Sequence, residues 1–380
     1  TSKGLAFLRA YGHRSLVPER QPMAVDTLFD LASLTKPVVT ATAIGVLIDR
    51  GALRLDDPVQ RYLPTFSGNG KDRVTLRDLL LHRSGMPSVN TLRSMEGIPR
   101  RVAIDRIATL PLESPPGEVF RYSDLGYILL GEVVERVSGK GLADFARGAI
   151  LDPLGMVESA FNPGPDLRDR VAVTEQTDKR GPEPVWIAGE VHDPRAYRLG
   201  GVAGNAGLFA TASDLARYAE MLLGHGARGK ARVLSPETFR ALTTPVGIRG
   251  TIRTPGWDVR SSYGTQRSKG FSEASFGHGG YTGTSLWVDP LRDLYVAVLT
   301  NRVHPEPTGD MRPLARAIGD VALAFREQFL PSPRSSLVLG IDVLRRDQFD
   351  VLRGAKVGLL TNVSGRARDG VGTAELLHRA

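Results

Sequence analysis

The sequence predicts an α/β (α+β) chain: an antiparallel sheet flanked by helices, plus a mostly helical lobe. Three observations carry this. Apolar residues recur at helical spacing after Ser33 and again from Leu125 to Val137, and each run is followed by a glycine, Gly51 and Gly139. Between about 56 and 204 the regular patterns are helical. Between 271 and 300 short apolar runs at 275–278, 284–288 and 294–300 read as strands, with Asp289-Pro290-Leu291-Arg292-Asp293 as the turn between the last two. The expected organisation is a sheet part from 1–55 and 205–330, a helical lobe at 56–204, and a linker with a further segment at 331–380.

In order, residues 5–11 read as a strand and 14–27 as a loop. A helix is expected from about 33 to 50. Residues 53–58 start a turn and a short helix that ends near Leu63-Pro64. Thr75 with Asp78 three residues on matches a capped helix start, running to about His82. Arg83-Ser84-Gly85-Met86-Pro87 breaks it. Residues 100–110 are helical and 115–118 a turn. Tyr122-Ser123-Asp124 opens the next helix. Another spans 142–150 and is stopped by Asp152-Pro153-Leu154-Gly155-Met156. From 161 to 204 proline, glycine and charge dominate, and no regular element is expected. Residues 207–211 form a short strand or turn, Ser213 caps a helix to about Leu223, and Ser235-Pro236-Glu237 opens another. A closing helix covers 314–329, a linker 331–336, and strands 338–342 and 357–361.

At 380 residues the chain suits two domains or one large one. No uncharged apolar run reaches the roughly 18 residues of a membrane span. Thr1-Ser2-Lys3-Gly4 is not a signal peptide, so the protein either stays in the cytoplasm or has lost a leader and is periplasmic. The absence of cysteine excludes disulfides, thiol catalysis and thiolate metal sites. The seven histidines are scattered, with no H-x-x-x-H pair, and neither metal nor cofactor is expected. The net charge of +8 comes from arginines spread along the chain, without the aromatic interleaving of a nucleic-acid binder. It reads as an ordinary basic surface or, more sharply, as attraction to anionic polymers such as cell-wall material.

The chemistry centres on Ser33-Leu34-Thr35-Lys36. Residues three apart share a helix face, so the Lys36 amine can reach the Ser33 hydroxyl. Pro37 is tolerated near a helix start, and the helix N-terminus adds partial positive charge where an alkoxide would form. Alone the pair is weak, since S-x-x-K arises by chance roughly once in a chain this long. A serine–lysine hydrolase also needs a second proton carrier, an oxyanion hole and a strand edge. Tyr122-Ser123-Asp124 is the chain's only Tyr-x-Asn/Asp, and His278-Gly279-Gly280 sits just before a strand. Taken alone, Tyr122 would be a packed tyrosine with a satisfied hydroxyl.

These motifs, with Leu80 to Pro87, Pro116-Gly117-Glu118, Leu151 to Met156 and Gly277 to Thr284, occur once each and in order. In them the chain resembles the serine β-lactamase and penicillin-binding-protein superfamily, and most of all class C β-lactamases and family VIII carboxylesterases, over about residues 5–330. The resemblance implies a β-lactamase/transpeptidase-like fold. It makes Ser33 the acylated nucleophile and Lys36 the cation that lowers the proton affinity of Ser33 and Tyr122. Tyr122 becomes the general base and then acid. The backbone amides of Ser33 and Tyr281 form the oxyanion hole, and Asp124, His278, Gly279 and Gly280 bind substrate, the glycines by letting it approach the strand edge.

Two departures shape the expected substrate. Asp124 stands where many class C enzymes have Asn, and His278 where they have Lys. Lys, Asn and Lys carry two positive charges, whereas Lys36, Asp124 and a neutral His278 sum to zero. A substrate carboxylate beside the scissile bond should be held less well, by about one to three kcal/mol. Simple esters should therefore outrank β-lactams, and activity on anionic substrates should rise as pH falls through the imidazole range near ~6.5, unless an arginine folded into the site supplies the charge. The expected function is carboxylester hydrolysis on short acyl esters with weak β-lactam hydrolysis. The alternatives are a β-lactamase, a D-amino-acid peptidase or amidase of cell-wall turnover, and a non-hydrolytic penicillin- or peptidoglycan-binding module. The partners are then a small ester or β-lactam, or peptidoglycan fragments. His192-Asp193 and Gly204-Asn205-Ala206-Gly207 read as a loop near the site, with Asn205 a turn residue tolerating positive φ.

Residues 339–344 and 354–362 resemble the opening of a bacterial exo-N-acetylmuramidase family, too short to carry that chemistry but pointing to peptidoglycan turnover. Relatives have a helix and a strand before the one expected at 5–11. Residues 356–361 could fill that place from the same or a neighbouring chain, which would make the tail a route to oligomers.

Overall fold

The structure, a computed structural model, describes residues 1–88, 97–178, 180, 183–264 and 266–329. Residues Thr1–Phe325 form one compact unit. The second unit, Arg326–Ala380, lies almost wholly outside the described residues, and so do the expected linker, the muramidase-like segment and the sheet-filling role of 356–361.

Among the described residues the main sheet has six antiparallel strands in sequence order: Val246–Ile248, Thr251–Arg253, Asp258–Arg260, Phe276–Gly279, Ser285–Asp289 and Leu294–Val298. The register of the fourth and fifth puts Gly277 opposite Trp287 and His278 opposite Leu286. Gly277 is small for a reason, because a Cβ there would lie 2.2 Å from the Trp287 ring. In a second sheet, strand Leu208–Ala210 pairs with Phe29–Asp30 on one side and Ala160–Phe161 on the other.

The first three strands of the main sheet were not anticipated. They are three residues long, and the second and third carry charge where a strand signal needs apolar alternation. The charges cancel in space: Arg253 and Asp258 are both buried and lie 2.9 Å apart across neighbouring strands. Residues 5–11 adopt no regular element, and the expected loop after them contains the short pair His13–Ser15 with Gln21–Pro22. Leu5, Phe7 and Tyr11 are exposed, so the apolar run there does not enter the core. In the 161–204 stretch, short elements replace the expected irregular chain, among them helix Pro165–Arg168, the pair Gln176–Thr177 with Val185–Trp186, and helix Pro194–Arg198.

The expected 33–50 helix is three pieces: a 3-10 turn Ala32–Leu34, a π-helical stretch Lys36–Ala41 and helix Thr42–Asp49. Pro37 lacks an N–H, which removes a donor at the point where the helical rings widen. Gly51 has φ +71, as the helix end requires. The run Ala32–Asp49 is long and apolar enough to cross a membrane by composition, but 83% of it is buried as the core helix of the unit. Against it pack helices Asp124–Ser138 and Pro236–Thr243, and helix Leu76–Leu80 packs on Asp124–Ser138. Thr75 and Asp78 form the expected capping box, Ser123 caps the Asp124–Ser138 helix, and Gly139 ends it at φ +68. Helix Ala212–Leu223 is capped by Thr211, two residues before the expected Ser213.

Candidate active site

Ser33 sits one residue after a strained turn. Ala32 has φ +46, unusual for a residue with a side chain, and its N–H donates to Asp30 Oδ1 at 2.8 Å. The other oxygen, Asp30 Oδ2, accepts the His192 N–H at 2.6 Å. Burial pushes the Asp30 carboxyl up, and these two amides pull it back. Asp30 therefore holds the elbow that presents Ser33. The end of the His278 strand is bolted to the same elbow. Thr282 Oγ1 donates to the Asp30 carbonyl at 2.7 Å and Thr284 Oγ1 to the Leu31 carbonyl at 3.1 Å. Gly280 makes that approach possible: a Cβ would lie 2.5 Å from the Leu31 carbonyl oxygen and 2.2 Å from Thr284 Oγ1. The Cβ position of Gly279 is likewise taken, 2.2 Å from Gln266 Nε2. Both glycines line the cleft, where the room for substrate is expected, and at Gly280 the small size also lets the strand end approach Leu31.

Lys36 Nζ donates to Ser33 Oγ at 3.0 Å and to the Asn205 carbonyl at 2.9 Å, and lies 2.8 Å from Asp124 Oδ1. Burial pulls the Lys36 amine down, but Asp124 and Tyr122 outweigh it and hold the ammonium above its usual range. Asp124 Oδ2 takes the Arg195 guanidinium at 3.2 Å, and the same Arg195 nitrogen lies 3.1 Å from Asp193. Both Asp124 oxygens are engaged by cations, so beside the substrate contact expected of it Asp124 positions Lys36. Asp193 also caps helix Pro194–Arg198 and accepts the Asn205 side-chain amide at 3.2 Å. Asn205 is not among the residues with positive φ; it is a buried link between Lys36 and Asp193.

Lys36 Nζ lies 5.0 Å from the Tyr122 ring centre, and Lys36 and Ser33 both pull the proton affinity of the Tyr122 hydroxyl down. Its ring stacks between His82, at 4.4 Å, and Tyr263, at 4.8 Å. Lys36 pulls the Tyr122 proton affinity down, as expected, but the net direction is up, because burial exceeds it and Asp124 adds to burial. Tyr122 rests as the neutral phenol. His82 accepts the Ser123 N–H on Nδ1 at 3.0 Å and is a buried, uncharged platform, its pKa driven well below the ordinary value by burial and then by Arg253, Lys36 and His278.

His278 lines the cleft, 6.0 Å between ring centres from Tyr122. Burial, then Arg253 and Lys36, push its pKa well below the usual imidazole range. This runs against the expected rise in activity as pH falls through that range, which assumed an unperturbed imidazole. The arginine that could undo the charge argument is present as Arg195, but it arrives with Asp193. Lys36, Asp124, Arg195 and Asp193 sum to zero. Arg302 also lines the cleft, stacked 4.5 Å from the Tyr281 ring centre and donating to the carbonyls of Tyr281 and Gly309. Tyr281 lies in the turn just after Gly280, where its N–H follows the contact with Leu31. The cleft encloses about 910 Å³ and brings together Ser33, Tyr122, Asp124, His278, Gly279, Gly280 and Tyr281 from three distant parts of the sequence.

Sequence reasoning missed Asp30, His82, Arg195 and Tyr263. Asp193-Pro194 did carry a signal, an acidic cap before a proline at the first helical position.

The Beta-lactamase family model matches residues 3–320. The chain belongs to the Beta-lactamase family. Among relatives, a "Putative D-alanyl-D-alanine carboxypeptidase" of Escherichia coli (strain K12) is 30% identical over 330 residues, 80% of this chain and 75% of the relative. An "N-acetylmuramyl-L-alanine amidase" of Bacillus subtilis (strain 168) is 31% identical over 323 residues, 78% of this chain and 73% of the relative. Among solved structures, the octameric penicillin-binding protein homologue from Pyrococcus abyssi superposes with a TM-score of 0.62 at 27% identity, over 85% of this chain and 73% of that one. This Beta-lactamase-family chain is a serine hydrolase with the β-lactamase/transpeptidase fold, as expected from its motifs.

Proposed function

We propose that the chain cleaves an amide bond in a peptidoglycan fragment, between the lactyl carbonyl of an N-acetylmuramyl group and L-alanine. The observation that carries this is the pairing of charge beside Ser33. Lys36 and Arg195 are each held by a carboxylate, and His278 is uncharged. Arg302, which also lines the cleft without a carboxylate partner among the described residues, is stacked on the Tyr281 ring and donates to the Tyr281 and Gly309 carbonyls. A D-alanyl carboxypeptidase substrate bears a free carboxylate next to the scissile bond and needs an available cation. An L-alanine leaving group inside a stem peptide bears none, because its carboxyl is itself an amide. The names of the two relatives point to both activities. The charge pattern favours the second, and with it the weight moves from simple esters to a cell-wall amide.

In this reading the reacting form has one proton fewer than the resting site, with Tyr122 as phenolate beside the Lys36 ammonium. Ser33 Oγ attacks the carbonyl and passes its proton to Tyr122. The amides of Ser33 and Tyr281 receive the oxyanion. Tyr122 returns the proton to the leaving nitrogen, then takes one from the water that cleaves the acyl-enzyme. A second reading, hydrolysis of simple esters, rests on the same uncharged surroundings, which cost a neutral ester nothing.

The test compares muramyl dipeptide, a pentapeptide ending in D-alanyl-D-alanine, p-nitrophenyl butyrate and nitrocefin, with wild type and Ser33→Ala side by side. Release of N-acetylmuramic acid that vanishes in Ser33→Ala supports the amidase. Release of D-alanine refutes it in favour of a carboxypeptidase. Turnover of the butyrate ester alone moves the assignment to the esterase.

A further inference from the structure

His278 stands at the lip of the strand that faces Ser33, and its ring chemistry is set by one contact. Its Nδ1 lies 2.8 Å from the carbonyl oxygen of Gly279. A carbonyl can only accept, so Nδ1 carries the proton. In a neutral ring Nε2 is then a bare lone pair. No hydrogen bond from the described residues reaches Nε2, and the residue lines the cleft beside Ser33 and Tyr122. Burial first, and then the positive field of the fully buried Arg253, disfavour a charged ring; Arg253 is paired with Asp258 at 2.9 Å and seated 5.2 Å from the Phe120 ring centre. Two of its nitrogens, Nε and Nη2, have no partner among the described residues. A second positive charge on His278 would face Arg253 on one side and Lys36 on the other.

We propose that His278 is a specificity-determining hydrogen-bond acceptor. It selects substrates that present an N–H or O–H donor beside the scissile bond, and disfavours those that present a carboxylate there. The proposal deepens the amidase reading and rests on it for the substrate class. An L-alanine leaving group that continues as a peptide offers the next amide N–H. A terminal carboxylate offers only lone pairs, and two acceptors facing each other in a partly buried site repel. Where a cation at this place would bind the end of a chain, a bare imidazole nitrogen binds its continuation.

Two substrate pairs and one spectrum test this. The first pair is muramyl-L-alanine and muramyl-L-alanine amide. The second is an ester pair with the same geometry, phenylacetylglycyl-lactate and phenylacetylglycyl-lactamide, which reports on His278 whether or not muramyl amides are substrates. Wild type should prefer the carboxamide of each pair by about tenfold in kcat/KM, the worth of one hydrogen bond. His278→Gln, whose amide can accept or donate, should bring the ratio close to one, and His278→Lys should invert it. Wild-type preference for the carboxylate, or a ratio unchanged in His278→Gln, would overturn the proposal. Absence of muramyl cleavage alongside a normal ester ratio would instead sink the amidase reading and leave the acceptor standing. The tautomer is read directly by nitrogen-15 NMR of the unliganded wild type. Nε2 should resonate as an unprotonated ring nitrogen at pH 7, and a protonated Nε2 refutes the proposal whatever the kinetics.

Discussion

The two walls of the cleft are built on opposite plans. One wall comes from the starts of helical segments and is dense with charge: Lys36, Asp124, Arg195 and Asp193 alternate in sign within 3.2 Å of one another. The other comes from strand Phe276–Gly279 and the stack of Tyr263, Tyr122 and His82, and both of its histidines are held neutral. The contrast separates two tasks. Paired charges fix the position and protonation of the one amine that touches Ser33, without offering a free ion to the substrate. On the proposed reading, the other wall sets what the substrate must present. Low local dielectric makes both plans demanding, since an unpaired charge on either wall would be costly.

The largest break in this contrast is Lys36→Met. It removes the centre of the charged wall and strands Asp124 with Arg195. Turnover should fall by about a thousandfold or more, with the fold checked by circular dichroism. Activity near wild type would mean that Tyr122 works without the ammonium.

Gly280→Ala attacks the joint between the walls. Its Cβ would lie 2.5 Å from the Leu31 carbonyl, so the turn bearing Tyr281 must move away from Ser33. kcat should drop by about a hundredfold, with a loss of about 1–3 kcal/mol in urea unfolding. A variant stable and active as wild type would show that the turn is not held against the nucleophile.

Asp124→Ala sharpens the role of the paired charges. Asp124 and Tyr122 hold the Lys36 ammonium up against burial, so without Asp124 burial gains and the ammonium deprotonates at lower pH. The alkaline limb of kcat/KM should move to lower pH. A shift upward, or none, would remove Asp124 from the control of Lys36.

The smallest effect probes the neutral wall through stability. Folded His82 and His278 stay uncharged where the unfolded chain takes up protons. Their contribution is present above the ordinary imidazole value and is lost as pH falls below it, at up to about 1.4 kcal/mol per pH unit for each. Urea midpoints at pH 7.5, 6.5 and 5.5 should fall in that order, while the kinetics show no step from His278 between pH 5.5 and 8. A kinetic step there would place a charged His278 in the site.

Much of the site was legible in the order of the chain. Ser33, Lys36, Tyr122 and His278 lie in short motifs whose spacing and sequence order carry the resemblance, and the structure brings them to one cleft. The helices around Ser33 and after Ser123 were legible because a long apolar stripe and a cap are local signals. The strands at 246–260 were not. Three-residue strands that bury an arginine against an aspartate leave no periodic trace, and their pairing is made by the neighbours across the sheet. Arg195 lies 71 residues from Asp124, in a stretch without helical or strand periodicity, so nothing local tied the two together.

The sequence by itself determined the reaction type, because a serine, a lysine and a tyrosine in these motifs offer a nucleophile and proton carriers whatever surrounds them. Only the tertiary structure decided the charge of the site. Whether Asp124 faces substrate or Lys36, whether an arginine is free or paired, and whether a histidine is charged all depend on burial and on partners far away in the chain. Those through-space terms set protonation, and protonation sets what the cleft will accept.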